Sequence, residues 1–344
     1  MPAVAIRQRL TAPESQDLFK RWFDAAPIYS GPVVANRLGW QVARTVAKNA
    51  AIGVRRRGAP PAVARWADAL RREGVIAIPD YLSPDRHELI RGAFDDYAGS
   101  PRVRNIGDEN HSGIRYLTGP VVSDRPGDSG EAINAALADD PAIAALAESV
   151  IGRRVGLPHR LILQSLELGA GDVDDTDREQ VLHADKAYPC VKAIYVMDRI
   201  DEGSSPFVYC PGTHRITAER LRYEHHMSVQ ESRRRQGREP EAGSGIELER
   251  SRAVMGPELR ERLGVHERPM TCAGNTLIVV NNAGFHRRGS LEAGQRRRTL
   301  WVNFYPYQRP WYGRLAFRAA KSVIDTDNVS RALAAGNRGQ LSGQ

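Results

Sequence analysis

The fold class that the sequence predicts is mostly β with flanking helices, on an antiparallel jelly-roll core, and three observations predict it. Short apolar runs bounded by Gly, Pro or Asp recur from residue 160 onward, as antiparallel strands joined by tight turns require. Several of them alternate with period two, the pattern of a strand with one face in the core. Ahead of them lies a stretch whose apolar residues recur every three to four positions, which is helical spacing.

Taken in order, the chain reads as helices up to about residue 74, a strand near 75–79, and a helix over 84–97 for which Ser83 is the N-cap. Strands follow near 160–168, 180–185, 190–198, 206–210, 275–281 and 297–305. This divides the chain into a basic, largely helical N-terminal extension (1–70), a jelly-roll domain (71–310) and a C-terminal tail (311–344). A charged insertion over 217–264, containing Arg233-Arg234-Arg235-Gln236-Gly237-Arg238, is expected to be helical. Joining strands beside the barrel mouth, it is either a lid or a solvent-facing elaboration.

Within that core His183 and Asp185 stand two residues apart, and about a hundred residues later His286 follows the run Leu277-Ile278-Val279-Val280. On an extended strand residues i and i+2 share a face, so the imidazole and the carboxylate converge, and the second imidazole completes a triad. Two neutral nitrogens and one hard oxygen suit a metal such as iron(II) that keeps open positions for other ligands. Downstream, alternation puts Arg297, Thr299, Trp301 and Asn303 on one face and Arg298, Leu300, Val302 and Phe304 on the other. A guanidinium beside a hydroxyl suits a carboxylate, which it grips through parallel charge-assisted hydrogen bonds. Arg296 and Arg298 read as solvated residues of a basic turn.

On these motifs the chain resembles the phytanoyl-CoA dioxygenase-like branch of the iron(II)/2-oxoglutarate oxygenases. The branch carries His-x-Asp, a distal His, and an Arg eleven positions after it, here Arg297. Two further stretches match: residues 70–83 resemble its opening strand, and Gly203-Ser204-Ser205-Pro206-Phe207 with Pro211-Gly212-Thr213-His214 resembles its Asn-Gly-Pro and Pro-Gly-Ser-His signatures. The likeness runs from about residue 70 to 307, with Ala184 where the family often has Gln and Glu202 where it has Asn. The resemblance implies a double-stranded β-helix of cupin type. It implies Fe(II) held by His183, Asp185 and His286, with 2-oxoglutarate bound through Arg297 and Thr299 and touched by Gln164. It implies O2 as oxidant, and hydroxylation of a small-molecule C–H with release of succinate and CO2. Related halogenases replace the carboxylate with a small residue; Asp185 is kept, which favours hydroxylation and leaves desaturation or ring formation open. Tyr188, Trp301 and Trp311, with the insertion, are the expected pocket walls.

Composition is compatible with such an enzyme. At 344 residues and 41% hydrophobic content the chain can bury a substantial core. No apolar run approaches the ~20 residues needed to cross a bilayer and the start lacks a signal h-region, so a cytoplasmic location is expected. Cys190, Cys210 and Cys272 are scattered and read as reduced thiols near the core. Net charge is +8, and residues 1–70 hold eleven Lys or Arg against four Asp or Glu. A nucleic-acid-directed oxygenase or binder using this region is the alternative function. Its aromatics Phe19, Trp22, Phe23, Tyr29, Trp40 and Trp66 form no obvious stacking platform, and nucleic acid is not expected. Val34, Leu38, Val42 and Val46 recur every four residues, predicting a helix docked on the barrel with a solvated basic face. Asp172-Val173-Asp174-Asp175-Thr176-Asp177 lacks the Gly of a calcium loop and reads as a solvated turn. His214 reads as a structural hydrogen-bonder, and His225-His226 as surface residues.

Overall fold

The structure is a computed structural model that describes residues 33–55, 58–107, 114–152, 154–155, 161–168, 178–249 and 252–304. All of them fall in one of the chain's two compact units, Gly31–Pro306. The first 32 residues, the tail after 304, the acidic stretch at 172–177 and Trp311 therefore lie outside the described residues.

Among the described residues twelve strands are formed: β1 (Val75–Ile78), β2 (Arg104–Asn105), β3 (Ile114–Val121), β4 (Leu161–Leu168), β5 (Val191–Val196), β6 (Phe207–Tyr209), β7 (Ile246–Glu249), β8 (Arg252–Met255), β9 (Arg268–Pro269), β10 (Thr276–Asn281), β11 (His286–Arg288) and β12 (Arg296–Phe304). Seven make a large sheet in the order β1-β10-β5-β12-β4-β3-β2, three make a small sheet β11-β6-β9, and β7-β8 is a separate hairpin. Every pairing is antiparallel.

Alternation along the strands sorts the side chains. On β5, Val191, Ala193 and Tyr195 turn outward, as do Leu277 and Val279 on β10 and Leu300, Val302 and Phe304 on β12. They meet the apolar faces of three helices, Ala64–Glu73, Pro84–Ala98 and Pro141–Ile151, through residues such as Leu70, Phe94 and Leu146. The opposite face carries Ile194, Val196, Ile278, Val280 and Trp301, which pack on Phe207 and Tyr209 of the small sheet. Each side chain so buried contributes roughly 1.5–3 kcal/mol against solvent exposure. The helix Ala64–Glu73 ends at Gly74, in the left-handed region at φ 80°, whose N–H donates to Leu70 O at 2.8 Å. A Cβ at Gly74 would lie 2.3 Å from Tyr209 Oη, so no other residue fits there.

The molecule is mixed rather than mostly β, because more of its described residues lie in helices than in strands. Expected strands near 75–79, 160–168, 190–198, 206–210, 275–281 and 297–305 are present within a few residues. The 180–185 strand is not: Arg178–Gln180 is a 3-10 turn and His183 pairs alone, as an isolated bridge to His286. Ser83 occupies the N-cap of Pro84–Ala98, but its hydroxyl makes no capping bond. The insertion is a helix, Ala218–Arg234, capped by the Thr217 side chain, then the β7-β8 hairpin and a short helix Pro257–Arg262. His225 and His226 on it are half-buried, not surface residues. His214 donates through Nε2–H to Arg71 O, 3.0 Å away, the structural role expected of it.

One sequence expectation for a basic residue is overturned. Arg298, expected in solvent, is 4% exposed, binds both oxygens of Asp198 at 2.7 Å and reaches Asp95 at 2.5 Å. The reason is the helix layer: β12's outer face looks onto Pro84–Ala98, which supplies Asp95. Truncating Arg298 to Ala should cost about 2–3 kcal/mol, less than for a wholly dry pair because both acids keep some solvent. Urea unfolding of Arg298→Ala against Arg296→Ala reads this, the latter changing stability by less than about 0.5 kcal/mol.

Candidate metal centre and its pocket

His183 and His286 face each other because their backbones exchange two hydrogen bonds, His183 N to His286 O at 2.9 Å and His286 N to His183 O at 2.7 Å. That bridge sets the rings 4.7 Å apart, centroid to centroid. Each ring is then oriented by a carbonyl two residues before it, His183 Nδ1 lying 2.7 Å from Val181 O and His286 Nδ1 3.0 Å from Gly284 O. Nδ1–H donates in both, which leaves each Nε2 with a free lone pair. Those lone pairs converge on Asp185: His183 Nε2 is 3.7 Å from Oδ1 and His286 Nε2 is 3.8 Å from Oδ2. All three potential ligand atoms lie within 4.8 Å of one another.

Charge decides what this cluster fits. Burial pushes the His286 imidazolium down to about 3, so the ring is neutral. Burial alone would raise the Asp185 carboxyl, but Lys192 and the two imidazoles hold it well below the usual carboxylate range. Two lone pairs and a carboxylate therefore meet with no proton between them, an arrangement of acceptors that a divalent cation satisfies. Asp185 Oδ2 is held from behind by Asn282 Nδ2 at 2.6 Å and Lys192 Nζ at 3.3 Å. Such outer hydrogen bonds orient a ligand carboxylate.

The pocket over the triad is lined by Tyr116, Gln164, Lys192, Phe207, Arg288, Arg297 and Trp301, with His183, His286, Glu179 and Arg287. Arg297, 3% exposed, projects inward from β12. Its Nη2 donates to Gln164 Oε1 at 2.9 Å and its Nη1 to the carbonyl of Ser205. Its Nε has no partner, and no carboxylate lies within ion-pair distance of it among the described residues. Burial first, then the nearby Arg288, pulls the Arg297 guanidinium down to about 9, so it stays charged at neutral pH. Ser205 sits in the left-handed region at φ 57°, a conformation that costs a non-Gly residue of order 1 kcal/mol and that here aims its carbonyl at Arg297.

Most of the residues singled out in the sequence come together: His183, Asp185 and His286 in the triad, and Gln164, Arg297 and Trp301 in the pocket wall. Thr299 is paired across the strands with Gln164, and its hydroxyl accepts from Trp301 Nε1 at 2.7 Å. Gln164 points its amide oxygen at Arg297, with Tyr116 on its nitrogen. Tyr188 is not a wall of this pocket; it is buried beneath Lys48, whose ammonium lies 4.1 Å above its ring. The insertion gives the pocket no residue either, because its long helix packs on residues 33–55 instead. Other residues of the pocket, or in contact with the triad, went unnoticed in the sequence, Arg288, Lys192 and Asn282 among them. Arg288 had a signal, standing two positions after His286 on the same strand face, and Lys192 had one as the sole charge in the apolar run of β5. Asn282 had none.

No protein-family model matches the sequence, and no curated protein matches it. Solved structures are similar to it. The non-heme alpha ketoglutarate dependent epimerase SnoN from nogalamycin biosynthesis is 15% identical at a TM-score of 0.44, covering 72% of this chain and 83% of that one. AviO1 from Streptomyces viridochromogenes Tue57 is 14% identical at 0.45, covering 72% and 96%. EctD from S. alaskensis, with 2-oxoglutarate and 5-hydroxyectoine, is 16% identical at 0.46, covering 72% and 82%. At these scores and identities the likeness decides nothing about activity, which turns on the chain's own side chains.

Replacing His183, Asp185 or His286 singly by Ala leaves two ligands. Iron(II) or cobalt(II) affinity, read by anaerobic calorimetry, should fall by about a hundredfold or more in each. Native affinity in any one removes that residue from the site.

Proposed function

We propose that this chain is an iron(II)/2-oxoglutarate-dependent oxygenase with a jelly-roll core, hydroxylating a C–H bond of a small molecule. The observation that carries the reading is the pairing, in one pocket, of a converging His-Asp-His cluster with the buried guanidinium of Arg297, which among the described residues has no carboxylate within ion-pair distance. A dicarboxylate with one end on the metal and the other on Arg297 satisfies both. The two facing antiparallel sheets with helices on one outer side support that fold, since a double-stranded β-helix has this layering.

Iron(II) bound there supplies the activation of O2, in the net reaction R–H + O2 + 2-oxoglutarate → R–OH + succinate + CO2. The protein's own groups bind, orient and exclude. His183, Asp185 and His286 would hold the metal. Arg297, steadied by Gln164 and the Ser205 carbonyl, receives the distal carboxylate, and a preformed guanidinium loses little freedom on binding it. Phe207 and Trp301 wall the pocket with apolar surface, which keeps water from the reacting bond. No helix among the described residues is long and apolar enough to cross a membrane.

Anaerobic loading with iron(II) and 2-oxoglutarate should give the weak visible absorption of a chelated keto acid. Subsequent exposure to O2 with a metabolite library should give substrate-stimulated succinate. No absorption change and no succinate would sink the reading.

Arg297→Lys keeps the charge and loses the two-pronged grip, so the apparent affinity for 2-oxoglutarate should fall by one to two orders of magnitude, about 1.4–3 kcal/mol, with iron binding intact. Arg296→Lys and Arg298→Lys should leave that affinity nearly unchanged, the latter lowering only stability. A large loss at Arg296 with none at Arg297 would reverse the assignment.

A further inference from the structure

Strand β5 is buried along its whole length, and the one charged side chain in it is Lys192. An ammonium in an apolar strand is costly unless an acid shares its charge. Lys192 is fixed in place by Trp301, with Nζ 4.5 Å above the ring, and the indole Nε1 in turn donates to the Thr299 hydroxyl at 2.7 Å. Among the described residues the acid within ion-pair distance of Lys192 is Asp185, whose Oδ2 lies 3.3 Å from Nζ. That carboxylate is a member of the triad. Orientation alone does not account for the lysine. Asn282 Nδ2 already holds the same Oδ2, and at 2.6 Å it is the nearer donor. What the ammonium adds to the amide is charge.

A metal bound by His183, Asp185 and His286 meets that charge at the shared carboxylate. Two cations then draw on one negative group, so each weakens the other's hold. The repulsion grows with the charge of the metal, three units for iron(III) against two for iron(II), and a buried ammonium is screened little by salt. The two oxidation states are therefore penalised unequally. Resting on the reading of the triad as an iron site, we propose that Lys192 makes that site selective for valence. By sharing the Asp185 carboxylate with the metal, it lowers the affinity for iron(III) more than for iron(II), which moves the equilibrium Fe(III) + e− ⇌ Fe(II) to the right.

The test compares the full chain with its Lys192→Met and Lys192→Arg variants. Met fills similar space against Trp301 without charge, and Arg keeps the charge. By calorimetry Lys192→Met should bind cobalt(II) about tenfold or more tighter than the native chain, and Lys192→Arg within about threefold of it. In a mediated redox titration of the iron-loaded protein with dithionite, the ratio of iron(III) to iron(II) affinity should rise by about tenfold or more in Lys192→Met. Each tenfold lowers the midpoint potential by about 59 mV. Cobalt affinity that stays level or falls in Lys192→Met, or a potential that does not move, overturns the proposal and leaves the lysine only the task of orienting Asp185. Should Lys192→Met fail to fold by circular dichroism, Lys192→Gln is held to the same two outcomes. A native chain that binds no cobalt(II) removes the iron reading and this proposal together, whereas native binding that Lys192→Met leaves unchanged removes the proposal alone.

Discussion

Two backbone hydrogen bonds between His183 and His286 carry the organisation of this molecule. Without them the loop bearing His183 and Asp185 has no backbone hydrogen bond to the small sheet among the described residues, since His183 alone of that loop joins the ladder. With them, two imidazoles that are a hundred residues apart in sequence become neighbours, and the carboxylate two positions on falls between their Nε2 atoms. The rest of the structure stiffens this one bridge. The small sheet is pressed on the large one through Phe207, Tyr209 and their partners, and Asn282, just past β10, ties the carboxylate to the large sheet.

The pocket above the bridge is electrostatically unusual. Arg297 and Arg288 are both buried, and the guanidinium of each is made more acidic by that burial. Cations are expensive to bury, and a protein retains them at such a place when an anion arrives to share the field. Lys192, 8% exposed and 4.5 Å above the Trp301 ring, adds a third positive group beside the Asp185 carboxylate. Positive groups gathered in one pocket raise the local potential, which favours an anion there.

How much of this was legible in the sequence follows from the range of each signal. The apolar runs of β5 and β10 and the alternation of β12 could be read directly, and so could the spacing of His183, Asp185, His286 and Arg297. β3 could not, because Gly119 and Pro120 inside it read as a turn; the strand tolerates Pro120 because β2 pairs only as far as Thr118. The helix Pro141–Ile151 was missed despite a legible start, Asp140 before Pro141, whose carboxylate accepts from Ala142 N. Residues 33–55 show the limit of periodicity. Helical spacing was correct, but Val34, Leu38 and Val46 of the stripe expected against the barrel are exposed. Which side meets the protein depended on Glu224, Ser228 and Ser232, nearly two hundred residues away.

The three consecutive arginines of β12 pose a problem that alternation alone does not solve. A strand reading Arg296-Arg297-Arg298 could slide by one position and still offer a guanidinium to the pocket, so the pocket's own chemistry cannot distinguish the two alignments. The distinction is made on the far side of the sheet. Asp198 and Asp95, which lie 100 and 203 residues from Arg298, accept its charge where a slipped strand would present Thr299 or Arg297. The acids on the helix side thus act as a vernier for the pocket: by accepting only one arginine outside, they determine which one points within.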